Sequence, residues 1–448
     1  MGELSQGSTL ILKKAIRRLN MYQDFEKVFN VIYPESSNAT YESILNFSFE
    51  NSRSFQRWYR YKEGFSIDFV QKIISTYKNS NIGIILDPFA GSGTTLLSAN
   101  SLGYSSAGFE VNPFSFFLMK VKLENYTQSD ILGFKDCFTK YLDELRNDKY
   151  ETYSLPKLSI SNKVFQDIVE RIMMSFKVKF SRLPESKVKD LIKLGWLACI
   201  EELSNYRKAG NGLKIRKTVK PIIHTKDEVI ETLNHLFSCM LEDIEKKPVK
   251  NNFSIFNHSS LGFSDILGEN SVEGIIFSPP YANCFDYTEI YKLELWFGDF
   301  VSSYDDLKLL RAKSLKSHLN MKYVYTDLYS EKSSILNEQM LKLNSVSLWD
   351  KRIPQMIFGY FSDMFDIIDN CFLTLKKKGF CSIVVGNSAY GGVIIPTDLI
   401  LAEYAKSIGF TVDRIEVDRY IITSSQQYEQ TKKEGKFLRE SVVCLVKQ

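Results

Sequence analysis

The residues Ser278-Pro279-Pro280-Tyr281 place a hydroxyl, two prolines and an aromatic ring directly after the apolar run 274–277. Proline fixes φ and has no backbone N–H, so a strand cannot continue through two consecutive prolines. The last carbonyl groups of that strand are therefore left without partners in a sheet. We expect this short, stiff turn to offer hydrogen-bond acceptors and a flat ring to a ligand.

A second stretch, residues 84–95, joins an apolar strand to a small-residue loop and a helix. It reads Ile-Ile-Leu-Asp-Pro-Phe-Ala-Gly-Ser-Gly-Thr-Thr, and glycines in such a turn let a ligand approach the backbone closely. The loop has no lysine and lacks the Gly-Lys-Ser/Thr of a nucleotide P-loop, which disfavours phosphate binding. About twenty residues further on, Glu110 ends the next predicted strand, where a carboxylate can accept hydrogen bonds from both ribose hydroxyls. The pattern predicts a nucleoside-type cofactor.

Short β-branched runs alternate with helical stretches along the chain, which is typical of an α/β protein with a doubly wound, mostly parallel sheet. We predict strands at 82–86, 106–110, 274–277, 381–385 and 442–446, and helices at 96–102, 361–376 and 397–407. Two blocks interrupt the alternation, a helical, charge-rich one at 125–250 and a polar one at 299–352. We therefore divide the chain into an N-terminal cofactor-binding half (1–124), a helical insertion (125–250) and a catalytic half (251–448) that contains the polar insertion.

Composition narrows the class of protein. A chain that is 44% hydrophobic and 25% charged is an ordinary globular protein. The seven cysteines do not cluster with one another or with the four histidines, so neither a disulfide framework nor a metal site is predicted. No apolar run is long enough for a membrane span or a signal peptide, and we expect a cytoplasmic protein. A net charge of +4 permits a polyanionic partner without requiring one.

Taken together, the two stretches resemble the amino-methyltransferases that transfer a methyl group from S-adenosylmethionine to exocyclic nitrogens of DNA bases. Residues 87–95 are similar to the cofactor loop of that family, and residues 278–281 to its catalytic tetrapeptide. Further similarity to restriction-modification DNA methyltransferases lies at 57–66, 286–287, 293–297, 385–388, 395–398, 424–427 and 438–441. The resemblance implies a Rossmann-like methyltransferase fold, S-adenosylmethionine as cofactor and double-stranded DNA as substrate.

The resemblance also assigns roles to individual residues. It implies that the catalytic residues are Ser278, Pro279, Pro280 and Tyr281. The hydroxyl of Ser278 and the carbonyl of Pro279 would accept hydrogen bonds from the amine, and Tyr281 would stack on a base flipped out of the duplex. The cofactor-binding residues that it implies are Lys62, Phe65, Ser66, Asp87, Pro88, Phe89, Ala90, Gly91, Ser92, Gly93, Thr94, Glu110 and Asn112.

One position departs from the family pattern. Relatives usually carry an acidic residue before the catalytic strand to hold the adenine of the cofactor. The corresponding stretch here reads Phe-Asn-His-Ser-Ser at 256–260. We expect Asp265, or Asn257 together with Ser259, to serve instead, and a capping or packing role for His258.

The identity of the methylated base depends on one residue. In this family a serine in the first position of the tetrapeptide is mostly associated with cytosine N4, and aspartate or asparagine with adenine N6. We therefore expect cytosine, with adenine N6 as the alternative. Two other classes remain open, an RNA methyltransferase of the guanine-N2 kind and a catalytically silent DNA-binding subunit.

The order of segments resembles the permutation class whose target-recognition region lies between the cofactor and catalytic halves. Within the helical insertion, residues 204–220 carry six basic side chains and no acid, and glycines are expected to keep them in a loop. The DNA-contacting residues that we predict are Arg207, Lys208, Lys214, Arg216 and Lys217. The polar insertion would flank the other side of the cleft. A cognate restriction endonuclease is a further expected partner.

Overall fold

The computed structural model describes residues 22–35, 44–45, 50, 52–62, 64–77, 83–210, 212–216, 223–246, 251–421 and 431–448. Its strands are β1 Val31–Ile32, β2 Ile84–Asp87, β3 Ser105–Phe109, β4 Tyr206–Ala209, β5 Gly212–Ile215, β6 Phe253–Phe256, β7 Val272–Phe277, β8 Leu375–Gly386, β9 Ser388–Tyr390, β10 Val393–Ile395, β11 Phe410–Tyr420 and β12 Arg439–Lys447. The main helices are α1 Ile67–Thr76, α2 Thr94–Ser101, α3 Pro113–Leu123, α4 Gln128–Arg146, α5 Asp167–Ser181, α6 Lys187–Ala198, α7 Ile200–Leu203, α8 Lys226–Glu245, α9 Ser264–Leu267, α10 Tyr287–Ile290, α11 Lys292–Phe297, α12 Tyr304–Lys313, α13 Ser334–Asn344, α14 Ile353–Thr374 and α15 Thr397–Ser407.

Eight strands form one sheet in the order β1-β11-β12-β8-β7-β2-β3-β6. Strand β12 runs antiparallel to both of its neighbours, and the other neighbouring strands pair in parallel. The chain passes outward from β2 to β3 and β6 and then returns to β7 on the other side of β2. The strand order therefore reverses between β2 and β7, and a crevice forms there at the carboxyl ends of the strands. The predicted Rossmann-like α/β fold is confirmed.

Both faces of the sheet are covered by helices. Adjacent apolar residues of its central strands point to opposite faces, so each face needs a layer of helices to bury them. Leu86 and Ile275 pack with helices α14 and α15 on one face. Ile85 and Ile276 pack with α1 on the other face. The run Val-Glu-Gly-Ile-Ile-Phe of β7 is buried throughout. The sheet is thus a rigid support for the residues that follow its strands.

Residues 128–245 hold helices α4 to α8 and an antiparallel hairpin of β4 and β5. Apolar side chains of these helices form one cluster that also contains Trp58, Tyr61 and Phe114 from outside the insertion. Asp243 of α8 accepts hydrogen bonds from Arg57, at 2.7 Å, and from the indole N–H of Trp58, at 2.8 Å. The helical block therefore shares its core with the segment that precedes α1.

One feature differs from the expectations. The stretch 204–220 was expected to be a loop, but residues 206–215 form the β4–β5 hairpin, apart from Asn211 between the two strands, which lies outside the described residues. Residues 424–427, one of the stretches with family similarity, also lie outside them. No helix in the described part of the chain is long and apolar enough to cross a membrane.

Candidate active site

The loop after β2 is held in place by a buried carboxylate. One oxygen of Asp87 accepts the backbone N–H of Phe89 at 2.9 Å, and the other accepts the hydroxyl of Thr95 at 2.6 Å. Burial raises the pKa of Asp87 to about 7. Gly91 and Gly93 have φ of +51° and +83°, values that residues with a side chain rarely adopt. The sequence of this loop therefore fixes a tight turn at the crevice.

Glu110 follows β3 and braces the same turn from the next strand. One of its carboxylate oxygens accepts the backbone N–H of Gly91 at 2.9 Å, and the other accepts that of Asn112 at 2.7 Å. Burial raises the pKa of Glu110 to about 7, and the two backbone N–H groups oppose that rise. A carboxylate has more acceptor sites than these two bonds use, so Glu110 can still accept hydroxyl groups from a ligand.

The crevice contains a first cavity with about 860 Å³ of empty space, part of it open to solvent. Its walls include Phe89 and Gly91 after β2, Glu110 and Asn112 after β3, and Ser260 after β6. Asn112 caps helix α3 with its side-chain oxygen, whereas its amide nitrogen is buried without a partner among the described residues. Buried polar groups normally have a hydrogen-bond partner. The unpaired amide therefore fits a polar ligand of nucleoside size in this cavity.

A second cavity with about 470 Å³ of empty space lies beside the first. Pro279, Tyr281, Arg419 and Glu440 line it, whereas Pro280 lines the first cavity. Ser278 lines both cavities. The turn after β7 is therefore a thin partition between two ligand-sized spaces.

Tyr281 is fixed by its ring and by its hydroxyl. The ring lies against the backbone of Gly386, where an added Cβ would be 2.8 Å away. The hydroxyl accepts a long hydrogen bond from Ser278, at 3.4 Å, and donates to Glu440 at 2.6 Å. Arg419 donates to the other oxygen of Glu440 at 2.5 Å. Burial, reinforced by the charge of Glu440, raises the pKa of the Tyr281 hydroxyl well above its usual range, so the hydroxyl stays protonated.

The remaining predicted cofactor residues do not lie together. Pro88 lines the first cavity, whereas Phe65 lines the second. Lys62 donates its backbone N–H to the hydroxyl of Tyr291 at 3.0 Å, and Ser66 caps helix α1 by accepting the N–H of Phe69. The loop residues that support the turn without lining either cavity are Ala90, Ser92, Gly93 and Thr94.

Sequence reasoning missed a buried lysine beneath the turn. Lys122 of α3 donates to the carbonyl of Ser92 at 2.9 Å and to the side chain of Gln56 at 2.6 Å. Burial lowers the pKa of its ammonium to about 7. Its signal in the sequence is faint, because a lysine near the end of a helix is ordinarily a solvated side chain.

The end of β6 also differs from expectation. Asn257 donates its amide to the backbone carbonyl of Glu110 at 2.8 Å, and Ser259 donates to the carbonyl of Lys313 at 2.9 Å. Ser259 and Ser260 line the first cavity, whereas Asp265 is exposed on α9 and does not. The structure thus contradicts the expectation that Asp265 replaces the missing acid. His258 is exposed and contacts the carbonyl of Ser259.

Four of the five predicted DNA-contacting residues separate into three groups. Arg207 and Lys214 are exposed and lie directly opposite each other in the hairpin. Arg216 donates to the carbonyls of Ser204 and Glu201, at 3.1 and 2.8 Å. Lys217 lies outside the described residues.

Lys208 requires a correction. Its ammonium is buried, 2.5 Å from a carboxylate oxygen of Glu294 and 2.6 Å from the hydroxyl of Tyr59. A lysine that is occupied in this way is not available to a phosphate. The alternation of side chains along β4 turns Lys208 inward and leaves Arg207 outside.

The reversal of strand order, the braced turn after β2, the carboxylate after β3 and the partition after β7 together define an S-adenosylmethionine-dependent methyltransferase. A family model for DNA methylases of the N6/N4 type matches residues 12–119. The chain is similar to the DNA amino-methyltransferases of the restriction-modification type, and S-adenosylmethionine is its methyl donor. In the described residues there is no group of three or more His, Cys, Asp or Glu side chains that could hold a metal ion.

Two relatives align over most of the chain. The chain is 28% identical over 403 residues to the Type II methyltransferase M.AvaI of Nostoc sp., with 84% of this chain and 83% of the relative covered. It is 29% identical over 426 residues to the Type II methyltransferase M.BsoBI of Geobacillus stearothermophilus, with 84% and 82% covered. Among solved structures, the rRNA methyltransferase aviRa of Streptomyces viridochromogenes aligns with a TM-score of 0.28 and 8% identity, over 92% of this chain and 93% of that one.

Proposed function

We propose that the protein methylates the N4 amine of a cytosine in double-stranded DNA. The observation that carries the proposal is that Ser278 lines both cavities. One cavity then holds the cofactor and the other holds the flipped base, with the reacting amine at the partition. Base-modifying enzymes need such a pocket because their target atom is not accessible inside a duplex.

The first cavity is matched to the cofactor by several residues of this chain. Glu110 would accept the ribose hydroxyls, Asn112 would donate its free amide N–H, and Gly91 would let the ligand approach the backbone. When bound, S-adenosylmethionine supplies an electrophilic methyl group. The turn after β2, braced by Asp87 and Lys122, keeps this wall in one shape.

The partition would activate the amine by accepting its hydrogens. An exocyclic amine is a poor nucleophile because its lone pair is delocalised into the ring, and acceptors around its hydrogens favour a tetrahedral nitrogen. The hydrogen of the Ser278 hydroxyl points to Tyr281, whose own hydrogen points to Glu440. The lone pairs of Ser278 are therefore free to accept, and the carbonyl of Pro279 is a second acceptor. The two prolines hold these acceptors in place before the substrate arrives.

Residues of the second cavity support cytosine as the base. On its Watson–Crick edge a flipped cytosine presents two acceptors, N3 and O2, together with its amine, whereas adenine presents one acceptor, N1, on that edge. Arg419 uses Nε for Glu440, and a guanidinium carries five N–H donors in all. Its other donors suit the two acceptors of cytosine, and Tyr281 supplies a ring on which the base can stack.

Recognition of the DNA site is assigned to the helical insertion at 125–250. Its hairpin residues Arg207 and Lys214 are basic and exposed, which supports a role in contacting phosphates. The similarity to Type II methyltransferases supports a cognate restriction endonuclease as a partner of the same system.

The experiment that tests the function is nucleoside analysis of methylated DNA. Purified protein is incubated with isotopically labelled S-adenosylmethionine and genomic DNA from a host that lacks N4-methylcytosine. The DNA is then digested to nucleosides and analysed by mass spectrometry. Label in N4-methyldeoxycytidine is the expected result, whereas label in N6-methyldeoxyadenosine would make this an adenine enzyme. A Ser278→Ala protein is the matched control for contaminating methyltransferases.

A further inference from the structure

His318, in the polar insertion after α12, is a buried polar side chain to which the proposed function assigns no role. It is 3% exposed, and neither ring nitrogen has a hydrogen-bond partner among the described residues. It also lines the first cavity. A buried group that can donate and accept destabilises the fold unless a partner completes it. The position of the ring in the cavity wall points to a ligand as that partner.

The neighbouring carboxylate of Asp286 does not serve as the partner. Its two oxygens already accept four hydrogen bonds, from the N–H and hydroxyl of Thr288 at 2.8 and 2.6 Å, from Arg311 at 2.8 Å and from Asn320 at 2.6 Å. Burial lowers the pKa of His318, so the ring is neutral near pH 7. A neutral imidazole offers one N–H donor and one lone pair.

Two observations indicate which end of the cofactor lies near His318. Glu110 follows β3, and β6 is the next strand outward in the sheet. Ser259, after β6, donates to the carbonyl of Lys313 and so holds the start of the segment 313–318 over that end of the cavity. If Glu110 marks the ribose, the nucleobase lies further toward β6, beneath this segment.

We propose that His318 hydrogen-bonds the adenine ring of S-adenosylmethionine and replaces the acid that is missing at the end of β6. The polar insertion then contributes to the cofactor cavity in addition to flanking the DNA. Adenine offers ring-nitrogen acceptors and an amine donor, either of which a neutral imidazole can pair with. The proposal concerns the cofactor and holds for either methylated base.

The test is calorimetry without DNA on the full-length protein with two probes. S-adenosylhomocysteine carries both the adenosine and the amino-acid end, and 5′-deoxy-5′-methylthioadenosine carries only the adenosine. His318→Ala should weaken both by roughly 2- to 13-fold, the equivalent of one net hydrogen bond. His318→Gln, which keeps a donor and an acceptor, should weaken them less. His235→Ala, an exposed histidine of α8, is the matched control and should leave both affinities unchanged.

Three outcomes would overturn the proposal. The first is wild-type affinity of His318→Ala for both probes. The second is a loss with S-adenosylhomocysteine alone, which would place His318 at the amino-acid end. The third is a loss of the same size in the Ala and Gln variants. Melting temperatures without ligand show whether each variant is folded, and the Gln variant decides the question if Ala unfolds. Failure of the wild-type protein to bind either probe would instead count against its function as a methyltransferase.

Discussion

At the scale of single residues, the hydrogen bonds from Ser278 through Tyr281 to Glu440 separate two tasks. Under the proposed function the ring of Tyr281 would offer a surface for a base, and its hydroxyl would orient the hydroxyl of Ser278. Hydrogen bonds in such a chain polarise one another. The carboxylate at its end should make Ser278 a better acceptor for the amine than an isolated serine would be.

Substitutions of Tyr281 should therefore have graded effects. Tyr281→Ala should lose stacking of about 1 to 3 kcal/mol, which lowers kcat/KM roughly five-fold to more than a hundred-fold. Tyr281→Phe keeps the ring and breaks only the chain to Glu440, so it should reduce kcat modestly with DNA affinity unchanged. Steady-state kinetics and a DNA-binding assay measure the two parameters.

Ser278→Ala is the companion variant, because it removes an acceptor and leaves the ring in place. It should lower kcat strongly with little effect on DNA or cofactor affinity. Melting temperatures should barely change in any of these variants. A Tyr281→Ala enzyme that methylates DNA at the parent rate, or one that is inactive only because it unfolds, would contradict this division of tasks.

Glu110 should make cofactor affinity depend on pH. Because the pKa of its carboxyl is about 7, its ionised form, which only accepts hydrogen bonds, becomes dominant above that pH. Calorimetry should show S-adenosylhomocysteine binding more tightly as pH rises through 7. Glu110→Gln should bind more weakly, by about 1.5 to 3 kcal/mol above pH 7, with a flatter pH profile. Asp87 is present in both proteins, so the difference between the two profiles isolates Glu110.

The same shift predicts the sign of a stability effect in the cofactor-free protein. Folded Glu110 holds its proton up to about pH 7, whereas the unfolded chain releases it near 4.5, the ordinary pKa of a glutamate. The folded state thus binds more protons in this window, and the free energy of unfolding falls as pH rises from 4.5 to 7. Denaturant titrations should show a smaller fall for Glu110→Gln, and an equal fall would show that the carboxyl is not desolvated.

At the scale of elements, the β4–β5 hairpin places Arg207 directly opposite Lys214. Like charges at facing positions destabilise a strand pair. A phosphate between them would relieve that repulsion. The pair is therefore unfavourable in the free protein and would be stabilised by a bound polyanion.

Neutralising the pair should weaken DNA binding without unfolding the protein. The double variant Arg207→Ala with Lys214→Ala should lower the slope of log affinity against log salt by about 1.8, since each lost phosphate contact removes about 0.9. Its melting temperature should stay the same or rise slightly. Fluorescence anisotropy at several salt concentrations measures the slope. An unaltered slope would show that the hairpin does not contact DNA and is only a solvated surface.

Lys208 provides the contrasting variant within the same strand. Lys208→Met leaves the carboxylate of Glu294 buried without its cation. It should destabilise the protein by about 3 to 5 kcal/mol, as breaking a buried ion pair does. Adding Glu294→Leu should recover much of that loss, which thermal denaturation of the single and double variants would measure.

The strands of the main sheet show which elements the sequence can predict and which it cannot. Strands β2, β3, β7, β8 and β12 were predictable because strands buried inside a sheet are short, largely apolar runs. Strand β11 was not predicted, since its alternating charged residues resemble a surface segment.

Some candidate site residues could likewise be predicted from the sequence, and others could not. The turns after β2 and β7 were found because glycine and proline have strong local signals. Lys208 is buried against Glu294, a residue distant in the chain, and His318 is buried in the wall of the first cavity. Both positions result from tertiary packing, so no local pattern predicts them.

At the scale of the whole molecule, the helical insertion and the cofactor half share one core. Besides Arg57 and Trp58, the backbone N–H of Phe55 donates to Asp243, at 2.9 Å. The segment that begins with these residues leads to Tyr61, which lines the first cavity. A substitution in helix α8 should therefore change the affinity for the cofactor.

Asp243→Asn should destabilise the protein by about 3 to 5 kcal/mol and weaken S-adenosylhomocysteine binding, because it removes the charge that pairs with Arg57 in a buried site. Glu242→Gln is the matched control, since Glu242 contacts the same arginine from a half-exposed position. That change should reduce stability much less than Asp243→Asn does, because exposed ion pairs contribute little. Thermal denaturation and calorimetry measure the two effects, and equal losses in both variants would show that burial of Asp243 is immaterial.

If the helical insertion reads the DNA site, as proposed, the bonds from Asp243 also bear on how target preference can be inherited. A gene segment for residues 125–250, transplanted between relatives by recombination, would bring its own residue to position 243. The hybrid enzyme would keep its cofactor half intact only where the donor segment encodes a carboxylate there and the recipient encodes the arginine at 57. We expect drift to new target sites to proceed through exposed hairpin and loop codons, which can change one at a time, more readily than through exchange of the whole block.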